Sequence, residues 1–128
     1  MNWYSIRLNA AWQLQQSADA SAGDTGRVHL PQMVEAGLVR GFHRPANVQA
    51  ETPVRLRLLI LGDPPKVELN DTEIIPADSG LLTVNGKDGV TELLFPLQTL
   101  ASFNRLRVTA ADGGGCELVE AMLQMSEG

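Results

Sequence analysis

VRLRLLILGDPPKVELND, residues 54–71, reads as a strand, a sharp corner and a second strand. Val54, Leu56, Leu58 and Ile60 fall on one side of an extended chain and Arg55 and Arg57 on the other, the two-residue period of a β-strand. Leu59 and Leu61 interrupt the polar side, so the later half of this strand is expected to be covered on both faces. Asp63-Pro64-Pro65 cannot continue a central strand, because proline has no ladder donor, and a sharp corner follows. Beyond it Val67 and Leu69 point inward while Lys66 and Glu68 point outward. Asn70-Asp71 then reads as a tight turn, since both side chains tolerate positive φ. Residues in this arrangement build a wall.

The same grammar continues in both directions. From Arg27 onward short apolar runs alternate with turn signals, the pattern of an all-β sandwich or barrel. Strands are expected near 5–15, 27–30, 38–44, 54–61, 66–70, 73–75, 81–84, 90–95, 105–110 and 116–125. Leu106, Val108 and Ala110 alternate with Arg105, Arg107 and Thr109, and Gly113-Gly114-Gly115 turns the chain into the last segment. SADASAGDTG (17–26) is small and polar, so residues 1–26 read as a first strand and a mobile loop. MVEAGL (33–38) predicts a short helical turn near 33–37, ended by Gly37. CELVEAMLQM (116–125) supports two periods: helical spacing of Leu118, Met122 and Met125, or strand alternation of Val119, Ala121, Leu123 and Met125. The glycine turn before it favours the strand.

Composition narrows the function classes. At 128 residues the chain is read as one domain, 1–128, large enough for a core without staples. A net charge of −5 argues against a nucleic-acid binder, which needs a basic surface. A lone Cys116 cannot form an internal disulfide, which fits the cytosol without establishing it. Neither a signal peptide nor a transmembrane helix is legible, so no membrane partner is expected.

No motif for catalysis stands out, and an enzyme is not expected. There is no G-x-S-x-G elbow, no H-E-x-x-H and no C-x-x-C, so neither a metal nor a cofactor is expected. Cys116 sits in an apolar segment where a low thiol pKa is not expected. Asp63, Asp71, Asp78 and Asp88 lie in turn contexts and read as turn formers. His29 reads as structural, whereas His43 in GFHRP lies at a strand end, where functional loops gather. Arg55, Arg57, Arg105 and Arg107 all point outward, and would form a cationic stripe for an acidic partner if their strands are neighbours. The competing reading pairs them with Glu68, Glu92, Glu117 or Glu120.

In order along the chain, GFHRP (41–45), VRLRLLILG (54–62), VELND (67–71), FPLQTL (95–100), FNRLRV (103–108) and ELVEAMLQM (117–125) resemble the galactose-binding-domain-like superfamily. In particular they are similar to the sugar-binding domains of family 2 glycoside hydrolases. The likeness spans about residues 38–125, with Asp71 where that family carries a hairpin glycine. It implies a jelly-roll sandwich of about 8–10 short antiparallel strands, with Pro45, Asn70, Leu100 and Asn104 as turn and core positions. It also implies a non-catalytic module that binds carbohydrate weakly through loops at one end. Trp12, His43, Arg44 and Asn47 are the candidate contacts, although Trp12 in AAWQLQ reads more readily as core. The alternative is a protein-interaction or self-assembly module, suggested by only six aromatic residues and the doubly apolar end of 54–61.

Overall fold

The computed structural model describes residues 3–14, 27–34, 37–46, 48, 52–84, 86–97, 100–111 and 115–126. Its described residues form two antiparallel six-stranded sheets packed as a β-sandwich. In one sheet, β1 (Trp3–Arg7) and β4 (Gln32–Val34) pair successive parts of β12 (Cys116–Ser126), followed by β6 (Val54–Gly62), β10 (Lys87–Leu97) and β9 (Asp78–Val84). The other runs β3 (Arg27–Val28), β2 (Trp12–Leu14), β5 (Leu38–His43), β11 (Phe103–Thr109), β7 (Lys66–Leu69) and β8 (Thr72–Ile74).

The 54–71 stretch joins the two sheets. β6 is central in the first sheet, between β10 and β12, and the Asp63-Pro64-Pro65 corner delivers β7 into the second. Leu56, Leu58, Ile60, Val67 and Leu69 are buried in one core with Leu106, Val108, Leu118 and Leu123. Asn70 and Asp71 both take positive φ, 51° and 68°, the left-handed pair that a two-residue hairpin turn requires. The last segment is a strand throughout, β12, with a register shift between Leu118 and Glu120 that changes its facing partway along.

Leu59 is buried as its position in the sequence implies, but by a device local alternation does not reveal. The β9–β10 hairpin bulges between Lys87 and Val90, and Lys87 Nζ lies 3.2 Å from Glu117 Oε1 on β12. Since β6 separates β10 from β12, the hairpin crosses the outer side of β6. Leu59, Val90 and Val119 form a second small core there.

Two expectations are corrected. Residues 33 and 34 of the expected helical turn lie in strand β4, whose backbone pairs with Cys116–Leu118 and so satisfies part of that edge; residues 35 and 36 lie outside the described residues. The expected single strand over 5–15 divides into β1 and β2, which belong to different sheets. Asn9 and Ala11 make that division. Ala11 has φ of 63°, and Asn9 Oδ1 accepts from the Ala121 backbone N–H at 2.9 Å, where β12 passes from β4 to β1. The polar loop 17–26 also lies outside the described residues.

Candidate functional site

The four outward arginines do not form one stripe. Arg55 and Arg57 stand on β6 and Arg105 and Arg107 on β11, in different sheets. On the β6 side both are engaged locally: Arg55 lies 4.0 Å over the Trp3 ring and donates to Gln124 Oε1 at 2.7 Å. Arg57 Nε lies 2.5 Å from Glu92 Oε2 on β10, one of the expected cross-strand pairings. On β11 Arg105 is exposed, and the Arg107 Nε is buried without a hydrogen-bond partner among the described residues.

A more open arrangement stands where β5 loses its neighbour. Among the described residues β2 pairs with β5 only at Leu38 and Val39, and no other described strand pairs with Arg40–His43 on that side, which leaves an open edge there. Between this edge and β1 lies a cleft of about 400 Å³, lined among others by Ile6, Arg7, Arg40, His43, Pro45 and Phe103. Its size falls in the usual range for small-molecule sites, roughly 300–1,000 Å³. Phe103 and His43 are register partners on β11 and β5, and their rings meet edge to face with centroids 5.1 Å apart. The far end of the Phe103 ring rests against Gly41, where an added Cβ would come within 2.5 Å of Cζ. Glycine at 41 is therefore what lets the ring lie down on the sheet. The ring remains 56% exposed.

Arg40 faces the core side of β5, as its partner Leu106 does. Its Nε donates to the Ala10 carbonyl at 2.7 Å and its Nη1 to the Gly41 carbonyl. Partial burial, and secondarily the nearby Arg27 charge, push its pKa below the usual arginine value. No carboxylate lines the cleft among the described residues.

The candidate contacts therefore separate. His43 and Arg44 lie together, exposed at the end of β5, with Arg44 held through its backbone N–H to Ser102 and its Nη1 to Leu100 O. Trp12 is corrected as a ligand contact: it is fully buried, and its indole N–H donates to Leu8 O. Asn47 lies outside the described residues. Phe103 is the residue that reading from sequence passed over. In FNRLRV it alternates onto the same face as Arg105 and Arg107, and an aromatic on an otherwise polar face was the available signal.

Among the described residues no group of three or more His, Cys, Asp or Glu is placed to hold a metal ion. Burial, aided by Asp63, pushes the Cys116 thiol up to about 11, which leaves it a poor nucleophile. Asp78 Oδ1 accepts from the Ser79 N–H and Asp88 Oδ1 from the Thr83 hydroxyl, the local bonding expected of turn aspartates. No family model matches the chain, and no curated protein matches it in sequence.

Proposed function

We propose that this chain is a non-catalytic binding module, a jelly roll of the galactose-binding-domain-like kind, that takes a carbohydrate at the β5–β1 cleft. One observation carries the reading: the exposed Phe103 ring, laid on Gly41 beside His43 at the mouth of an arginine-lined cleft. An exposed aromatic surface suits the apolar side of a pyranose, and nearby fixed donors suit its hydroxyls. With one small platform, affinity is expected in the millimolar range, about −4 kcal/mol. A glycan array followed by calorimetry tests this. Binding that is lost in Phe103→Ala and weakened in Gly41→Ala, whose added methyl displaces the ring, supports it. No sugar binding at millimolar concentration overturns it.

A second reading, self-assembly, is favoured by β9. Among the described residues this strand pairs only with β10, and no Lys, Arg or Pro within it guards its open edge. Leu81 on it is 76% exposed. Sedimentation over a range of concentrations tests this reading: association abolished by Leu81→Lys supports it, and a monomer throughout removes it.

A further inference from the structure

We infer that the ligand of the cleft is an acidic oligosaccharide, whose uronic carboxylate is taken by the Arg40 guanidinium. This rests on the carbohydrate reading above and names its substrate class. The guanidinium has five N–H donors in a rigid fork. Two of them are bound to the carbonyls of Ala10 and Gly41, which fix its plane. The remaining donors have no protein partner among the described residues, and none of them is a buried orphan. A carboxylate is the acceptor that such a fork meets in two parallel bonds.

The surrounding charge agrees. The protein carries a net −5, yet Arg7 and Arg40 line this cleft, with Arg27 near enough to act on Arg40. Both ion pairs among the described residues, Arg57–Glu92 and Lys87–Glu117, lie on the other sheet. Arg40 is half-buried beside the exposed Arg7 and Arg27 with no carboxylate lining the cleft among the described residues, and a bound anion relieves the repulsion that this clustering imposes. The exposed Phe103 ring, which lines the same cleft from the opposite face of β5 to Arg40, favours a sugar acid over an acidic peptide, because a peptide pairing the open Arg40–His43 edge would leave that platform unused.

The test compares oligomers of galacturonic and glucuronic acid with their methyl esters, which keep the sugar and remove the charge. The acids are expected to bind at least about tenfold tighter than the esters. Raising the salt is expected to narrow the gap by weakening only the acids. Arg40→Gln should erase the preference of acids over esters, and Phe103→Ala should weaken both forms. Because Arg40 also ties down Ala10 and Gly41, Arg40→Lys serves as the conservative partner. With unchanged melting behaviour it is expected to retain part of the preference. Equal binding of acids and esters overturns the carboxylate assignment while the carbohydrate reading stands. Absence of binding by both forms overturns the carbohydrate reading itself. Binding of a short glutamate peptide as tight as that of the acids overturns the sugar class.

Discussion

The side-chain amide of Asn70 donates to Oδ1 of Asn104 at 3.0 Å, tying the β7–β8 turn to the start of β11. Asn104 is fully buried and makes two further bonds, accepting from Ala101 N–H and donating to Ala101 O, both at 2.9 Å. Asn70 Oδ1 in turn accepts from the Arg105 N–H. These bonds hold the bend at 100–102, to which Arg44 is attached, and the start of the strand that carries Phe103.

Replacing Asn104 with alanine removes three hydrogen bonds and leaves the Ala101 groups unmatched, so Asn104→Ala is expected to cost about 3 kcal/mol. Urea denaturation should show the midpoint falling with an unchanged slope. A double-mutant cycle with Asn70→Ala is expected to give a coupling of roughly 1 kcal/mol. Additivity of the two substitutions would show that the contact contributes nothing.

Gly62 closes β6 at φ of 107°, and a Cβ there would come within 2.6 Å of the Gly115 carbonyl oxygen. That same oxygen accepts from the Asp63 N–H at 3.1 Å, so it cannot move away freely. Gly62→Ala is expected to destabilise by about 1–3 kcal/mol through backbone strain alone. Thermal melting checks this, with Gly86→Ala, where nothing crowds the Cβ position, as the comparison that isolates the crowding.

The buried Cys116 thiol, raised to about 11 from an ordinary 9.0, predicts both slow labelling and a pH effect on stability. Between those two values the unfolded chain has released the thiol proton and the folded chain has not. Unfolding then releases a proton, so stability is full below pH 9 and falls toward 11, by at most about 1.4 kcal/mol per pH unit. Denaturation midpoints across this window should decline more steeply for the native chain than for Cys116→Ala. Alkylation at neutral pH should proceed only as fast as the protein opens.

The Arg57–Glu92 pair is about one-fifth exposed on each side chain, so removing the pairing is expected to cost under about 1 kcal/mol. A double-mutant cycle at low and high salt measures it, and the coupling should shrink with salt. Arg55 differs, because its stacking on Trp3 is less sensitive to screening. Loss of its contribution in Trp3→Ala, at either salt concentration, identifies that stack.

Much of the wall was legible. Alternation in VRLRLLILG and KVEL placed the core residues, Asp63-Pro64-Pro65 marked the corner, and Asn70-Asp71 marked a left-handed turn. The site was less so. His43 and Arg44 were found from their place at a strand end, whereas Phe103 and Arg40 were not found, because neither belongs to a chemical motif.

Which residues share a face of each strand follows from the order of residues alone, since that depends only on the two-residue period of an extended backbone. Which sheet each face belongs to is set by long-range pairing. A strand reads the same in either sheet, and its partner lies far away in the chain. That choice put Arg55 and Arg57 on one sheet and Arg105 and Arg107 on the other, and split the first strand at Ala11. It also buried Trp12 and ended the β2–β5 pairing at Val39, which left Arg40, His43 and Phe103 around an open cleft.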